Sequence, residues 1–322
     1  MVKKMTLCLK RLLKRQLYSL VAVQDEWSIG VYHGDSPLSL APCGGVDDPV
    51  LTAAGVTDIP AAAVADPFAV RRTDGWYLFF EVVNADDGRG CIGYACSSDG
   101  YDWRYGRIIL NEPFHLSYPY VFEWDGAYYM LPESHAASSL RLYKAMDFPE
   151  RWAFAGNLKE GRFVDPCIFP YDGRWWMLAS TGRKDRVDAL CVFYADRPTG
   201  PWQEHPKNPV ISADRRFCRC GGRVTFFNGR IIRYVQDDYP TYGYQVWAFE
   251  ITELSLSGYA ERPVGPNPVI TGKGKGWNAE GMHNIDPHRT DKGDWLAFVD
   301  GYRLVRPGRQ ACRLLKETGN AG

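Results

Sequence analysis

Short apolar runs broken by glycine turns pattern most of the chain, and the stretch VADPFAVRRTDGWYLFFEV at 64–82 sets the type. Its β-branched and aromatic residues flank an Asp-Gly dipeptide, which predicts two antiparallel strands joined by a tight turn. An acidic residue followed by proline, Asp66-Pro67, stands at its head. The unit recurs as LSYPYVFEWDGAYYMLPES (116–134), FVDPCIFPYDGRWWMLAST (163–181), CGGRVTFFNGRIIRYVQDD (220–238) and NIDPHRTDKGDWLAFVDGY (284–302). Aligning the residue before proline gives Asp66, Tyr118, Asp165, Gly222 and Asp286, with Arg223 in place of proline in the fourth copy. Asp-Gly or Asn-Gly turns in the first four copies predict type I′ hairpins.

A second kind of hairpin lies between copies: an apolar strand, a polar turn often carrying Trp, and another strand, as in IGYACSSDGYDWRYGRIIL at 92–110. Two hairpins make four strands, one propeller blade, so the expected fold is all-β, a five-bladed β-propeller. A β-sandwich with coincidental hairpins is the alternative. Only about 20 residues follow the fifth copy, and WSIGVYHGDSPLSLAP (27–42) with PVL (49–51) matches the missing outer strands. The N-terminal segment is therefore expected to close the last blade. The propeller is placed at 24–305, with a terminal segment at 1–23 and a tail at 306–322.

Within residues 3–20, Lys3, Lys4, Lys10, Arg11, Lys14 and Arg15 share one helical face, opposite Leu9, Leu12, Leu13, Leu17 and Leu20. This predicts a short basic amphipathic helix, either docked on the domain or lying on an anionic membrane surface. No segment is apolar for long enough to span a bilayer. Composition narrows the partner: 38 basic residues balance 38 acidic ones, which argues against nucleic acid. Nine cysteines lack zinc-type spacing and read as reduced core residues of a cytoplasmic protein, which the helix would make peripheral at the inner membrane face. No P-loop, G-x-S-x-G, H-E-x-x-H or dinucleotide fingerprint is present.

The start of each inner strand should converge on one mouth of the central channel, bringing Asp66, Asp165 and Asp286 face to face with Tyr118 among them. Such a carboxylate cluster raises at least one pKa and suits acid–base work or ligand binding. Glu81, Glu133, Asp237 with Asp238, and Asp300 sit at analogous second-strand ends, where Glu81 or Glu133 can serve as an acid. His283, Asp286 and His288 form a candidate divalent-cation set; no other cofactor is expected.

ADP in copy one, a residue-Pro pair in copy two, VDP in copy three and GMH before copy five resemble glycoside hydrolase family 43. That resemblance implies an Asp base, an auxiliary Asp, a Glu acid and a His; Asp66, Asp165 and His283 match all but the acid. The acid's Glu-Gly-Pro motif falls on Gly221-Gly222-Arg223. A glycoside with a poor leaving group needs an acid, whereas a phosphate leaving group needs positive charge, here Arg215, Arg216, Arg219 and Arg223. EWSIGVY, ADPF…WYLFFE, LPES, VQDD…YGY, ITEL…GYAE and GMHNIDP, spanning Trp27 to Tyr302, more closely resemble the propeller domain of glucosamine inositolphosphorylceramide transferase proteins. This implies a role in surface-glycan or glycolipid synthesis. In the plant proteins the domain precedes a separate glycosyltransferase domain, which is not expected in this chain.

Three functions follow as expectations. The first is a glycosyltransferase-like enzyme with Asp66 as base, Asp165 and His283 as further catalytic residues, and Glu81, Tyr118, Glu133, Arg223, Asp237 and Asp286 holding substrate. It would use a sugar or sugar-phosphate substrate and a glycan or glycolipid acceptor. The second is a family 43-like hydrolase with Glu133 or Glu81 as acid. The third is a glycan-binding module that assists a separate transferase.

Overall fold

The computed structural model describes residues 23–183 and 186–305; the expected helix over 3–20 and the tail at 306–322 lie outside them. Five antiparallel sheets form five blades. Blade one runs Ala61–Arg72, Gly75–Asn84, Gly90–Ser97 and Arg104–Leu110, from the inner strand outward. Blade two is Ser117–Trp124, Ala127–Glu133, Ser139–Asp147 and Arg151–Glu160; blade three is Val164–Tyr171, Arg174–Arg183, Arg186–Ala195 and Gln203–Glu204. Blade four is Thr225–Phe227, Arg230–Asp237, Gln245–Leu254 and Tyr259–Pro263.

Blade five closes the ring. Its inner strands Ile285–Arg289 and Trp295–Val305 pair onward with the N-terminal Gln24–Ser36 and Ser39–Pro42. The closing ladder is continuous from Gln24 opposite Val305 to Gly34 opposite Trp295. This is the predicted closure, and it removes the open edge that the ring would otherwise present.

The hairpin turns follow their dipeptides in blades two to four. Asp125-Gly126, Asp172-Gly173 and Asn228-Gly229 all have positive φ at both residues, as type I′ requires. Blade one differs, because Arg72 already pairs with Gly75 and only the glycine has positive φ. Aromatics fill the gaps between blades, for example Phe79 edge-on to Trp152 at 5.6 Å between blades one and two. The seven described cysteines are free thiols.

Candidate active site

The funnel at one mouth of the ring is built by a bulge that the repeat carries in its own sequence. In blade one Ala65 faces Glu81, yet Phe68 faces Phe79, so one extra residue is forced out at Asp66-Pro67. Blades two and three repeat this: Ser117 faces Glu133 and Tyr120 faces Leu131, while Val164 faces Ser180 and Cys167 faces Leu178. The bulged residues Asp66, Tyr118 and Asp165 all adopt left-handed backbone, with φ of 55°, 47° and 49°. Such strain costs on the order of 1–3 kcal/mol per residue and marks sites held for a purpose.

Blade five lacks the bulge, which corrects the expected position of Asp286. Ile285 pairs with Val299 and Asp286 with Phe298 without interruption. Asp286 therefore occupies the rung of Phe68, Tyr120 and Cys167, and Asn284, opposite Asp300, stands on the rung of Ala65, with no counterpart of the bulged Asp66. In blade four, two steps back from Thr225 opposite Ile232, the same rung is Arg223.

Phe68, Tyr120, Cys167, Arg223 and Asp286 thus form a plug beneath the funnel. Arg223 donates from Nε to Asp286 Oδ1 (2.7 Å), from Nη1 to Val121 O (3.0 Å) and from Nη2 to Ala69 O (3.3 Å). Its guanidinium lies 4.7 Å from the Tyr120 ring centroid. Asp286 also accepts from Ala69 N and pairs with His288 Nε2 at 2.8 Å. Burial opposes its charge, but Arg223 and then His288 outweigh that and bring its pKa down to about 2. Arg223 and Asp286 are thus committed to tying blades one, two, four and five together, rather than to a substrate.

Two other expected binding residues are also ties. Tyr118 is fully buried, and its hydroxyl crosses to blade four, accepting from Gly222 N (2.8 Å) and donating to Gly222 O (3.1 Å). Asp237 points away from the channel and accepts Arg216 Nε and Nη2 and Gln245 Nε2. Its neighbour Gln236 holds the funnel position, donating to Asp165 Oδ2 and Cys220 O.

The expected catalytic residues converge above the plug, joined by Asp300 and by two further histidines, His115 and His135. Asp66 Oδ1 lies 3.6 Å from His283 Nε2, and its Oδ2 accepts Tyr118 N–H at 3.1 Å. His283 Nδ1 is 2.8 Å from Asp300 Oδ2, which also accepts Asp66 N–H; Asp300 Oδ1 accepts the backbone N–H of His283 and Asn284. Burial disfavours the imidazolium, but Asp300 and then Asp66 overcome it and lift the His283 pKa to about 9. Burial drives the Asp66 pKa well above the ordinary carboxylate range; His283 opposes this, and Glu81, Asp300 and Asp165 reinforce it.

Around this relay stand two carboxylate–histidine pairs. Glu81 meets His115 Nε2 at 3.2 Å, and Gly90 N–H donates to His115 Nδ1, which places the imidazole proton on the nitrogen facing Glu81. Glu133 pairs with His135 Nδ1 at 2.5 Å and hydrogen-bonds Asp165. Burial opposes the Glu133 charge, yet His135 and Arg219 leave its pKa below normal. Burial instead raises Asp165 to about 7, against the pull of Arg219 Nε, which donates to Asp165 Oδ2 at 2.7 Å. Glu133 is therefore an ionised partner and a poor proton donor. Burial and the neighbouring Glu133 favour the protonated form of Asp165, while Arg219 opposes it.

Trp27 and Tyr242 wall the relay, their ring centroids 4.4 and 5.3 Å from His283, and Tyr302 stacks on Trp27 at 4.6 Å. Arg219 spans from Asp165 to Asp238 and lies over Tyr242 at 5.4 Å. It opens onto a cavity of about 450 Å³ lined with Arg215, Arg216, Asp238, Tyr239 and Tyr242, a size that suits a sugar or sugar phosphate.

The missing acid leaves no gap to fill. Ile285 N–H donates to Gly221 O at 2.9 Å, and Gly222 and Ile285 form a parallel bridge. A Cβ at Gly222 would lie 1.8 Å from Ile285 O, and one at Gly221 only 3.0 Å from Gln236 N. Blades four and five are zipped shut where a blade-four side chain would project.

The expected cation set is split, since Asp286 and His288 belong to the plug and His283 to the relay. Among the described residues, Asp66, His283 and Asp300 instead bring three donor atoms within 4.8 Å of one another. A cation there would have to displace the proton that His283 holds up to about 9.

Ring, funnel and closure together define a five-bladed propeller of the architecture found in glycoside hydrolases. A putative glycoside hydrolase from Parabacteroides distasonis superposes with a TM-score of 0.58 at 12% identity, covering 80% of this chain and 95% of that one. An α-L-arabinanase variant from Cellvibrio cellulosa gives 0.53 at 16% identity, over 76% of this chain and 91% of that one. At such identities the likeness concerns the fold. The family model "Glucosamine inositolphosphorylceramide transferase 1, N-terminal" matches residues 22–302, and the chain belongs to that family. Glucosamine inositolphosphorylceramide transferase 1 of Oryza sativa subsp. japonica is 36% identical over 301 residues, and that of Arabidopsis thaliana 35% over 302. The aligned parts cover 87% and 88% of this chain but 40% of each relative.

Proposed function

We propose that the chain is a carbohydrate-active, glycosyltransferase-like domain that joins a sugar from a phosphate-activated donor to a glycan or glycolipid acceptor. One observation carries this reading. The funnel holds an Asp66–His283–Asp300 cluster beside an arginine-lined cavity, while the place of a hydrolytic acid is taken by glycine backbone packed tightly between blades four and five.

In this reading an acceptor hydroxyl gives its proton to Asp66 as its oxygen bonds to the sugar's anomeric carbon. The bond from that carbon to the phosphate oxygen breaks, and the phosphate leaves with the electron pair. A carboxylate at its ordinary pKa is a feeble base, and burial raises Asp66 above that range, which makes it a stronger base than a free aspartate. His283, cationic between Asp66 and Asp300, holds the two carboxylates in place. Arg219, helped by Arg215 and Arg216, meets the departing phosphate, the role the sequence pattern assigned to Arg223.

The test is titration of the chain with nucleotide sugars and polyprenyl-phosphate sugars, followed by isothermal calorimetry and NMR. Millimolar or tighter binding is expected, weakened in Arg219→Gln and retained in Asp66→Asn, which loses transfer. Absence of binding to every activated donor at millimolar concentration ends this reading.

A second reading, a glycan-binding module that assists a separate transferase, is favoured by the relatives' extra length, since most of each lies outside the match. Sugar binding that survives Asp66→Ala, with no transfer by the parent protein, would select it.

A further inference from the structure

Three imidazoles face the funnel, and two of them have both nitrogens committed. His283 lies between Asp300 at Nδ1 (2.8 Å) and Asp66 at Nε2 (3.6 Å) and is already cationic near neutral pH. His115 accepts Gly90 N–H at Nδ1 and turns its Nε2 proton to Glu81. His135 differs. Its Nδ1 meets Glu133, an ionised carboxylate that can only accept, so the proton sits on Nδ1. In the neutral ring the lone pair is then at Nε2, and among the described residues no group bonds that nitrogen. The side chain is 30% exposed at the funnel mouth.

The ring is also held still. His135 opens a single helical turn, His135–Ala137, between the second and third strands of blade two. Ser134, fully buried, donates from Oγ to Ser139 O at 2.7 Å and accepts Arg141 N–H at 3.1 Å, which pins both ends of the turn. Ser138 closes it in left-handed backbone, with φ of 55°, and donates its N–H to His135 O at 2.9 Å. Glu133 in turn is hydrogen-bonded to Asp165. An imidazole fixed by a carboxylate at one nitrogen and open at the other is arranged to take up a proton and release it, with the carboxylate stabilising the imidazolium.

The funnel has work for such a group. Transfer as read above leaves one proton on Asp66 in each turnover, and the inference rests on that reading for the proton's source. Asp66, Glu81, Glu133 and Asp165 are all no more than 8% exposed, so none of them hands a proton to bulk solvent unaided. Asp238, nearer the surface, is engaged by Arg219 and by Gly243 N–H. We propose that His135 is the proton outlet of the funnel. Water that refills the funnel after product leaves takes the proton from Asp66 and gives it to His135 Nε2. The Asp66 O–H bond breaks, its carboxylate keeps the electron pair, and Nε2 later yields the proton to bulk buffer. Glu133 is a positioning residue in this scheme: it holds the ring and pairs with the imidazolium.

Two experiments on the full chain test it. Carbethoxylation by diethyl pyrocarbonate, mapped by mass spectrometry, needs no sugar and attacks imidazole nitrogens that carry a free lone pair. His135 should be modified, as should the control His33, which is 37% exposed outside the funnel, whereas His115 and His283 should not. In transfer assays with the nucleotide sugar or polyprenyl-phosphate sugar that the parent binds, His135→Gln should lower kcat about 10²-fold at unchanged donor KM. Imidazole added to the buffer should restore most of that loss. An unmodified His135 overturns the inference, whether or not any sugar moves. So does full kcat in His135→Gln, or a loss that imidazole does not restore, which would make the ring structural. A parent that transfers nothing removes the proton's source and overturns the outlet together with the transfer reading; a modified His135 then shows that the reading failed and the geometry did not.

Discussion

Two layers of side chains sit two residues apart on the same strands, and their physics is opposite. The lower one, with Arg223 and Asp286 among Phe68, Tyr120 and Cys167, is paired, and its carboxylate titrates low. The upper one places Asp66 and Asp165 on strained backbone, with both carboxyls pushed up by burial. A buried charge that has found its partners is a staple. Buried carboxyls crowded against one another and raised in pKa are a site that does chemistry or holds something that relieves them. The contrast separates residues that a common aspartate-proline spelling makes look alike.

The largest expected effect breaks the lower layer. Arg223→Met strands the Asp286 charge and should cost about 3–5 kcal/mol in a denaturant titration. Arg223→Met combined with Asp286→Leu should recover most of that loss, and equal losses in the single and double variants would show that Asp286 is not the partner that matters. Asp66→Asn should do the reverse, lowering transfer by about 10²–10⁴-fold while leaving stability near or above the parent value. A loss of melting temperature as large as that of Arg223→Met would make Asp66 another staple.

Gly221→Glu restores the residue that a hydrolase would carry, at a position where its Cβ would lie only 3.0 Å from Gln236 N and 3.1 Å from His283 O. A loss of about 1–3 kcal/mol is expected by thermal melting, with no release of reducing sugar from aryl or natural glycosides. A well-folded variant that gained hydrolysis would show that blades four and five part more easily than their backbone bridge implies.

The smallest effects are in pH dependence, and they carry opposite signs in the two layers. His283 is raised from 6.5 to about 9, so its stabilisation is complete below 6.5 and is lost as pH rises through 9. Asp286 is lowered from 3.8 to about 2, so its stabilisation is present above 3.8 and is lost as pH falls toward 2. Unfolding free energy measured across pH should therefore slope down at both ends. His283→Asn should flatten only the alkaline side and Asp286→Asn only the acid side.

The repeat made five blades, the turns of blades two to four and the N-terminal closure legible without coordinates, because hairpin signals are local and the unit is copied five times. It also marked Asp66 and Asp165, to which the resemblance to glycoside hydrolase family 43 added His283, and the structure brings the three to one funnel. It misplaced Asp286 and Arg223, since a bulge in blades one to three and its absence in blade five shift the register by the one residue that decides which way a side chain faces. Asp300, His115, His135, Arg219 and Tyr242 carried a weaker signal. Asp300 occupies the fifth-copy position of Glu81 and Glu133, and Arg219 stands in the arginine cluster before copy four.

Sequence alone therefore determined the architecture and the chemical type of the funnel, because both rest on patterns that repeat along the chain. Tertiary structure decided which charges are neutralised, which arginine meets the cavity and how tightly the acid's position in blade four is packed. Those outcomes rest on register between blades and on backbone approaches such as Gly222 to Ile285, set by contacts that no local pattern encodes.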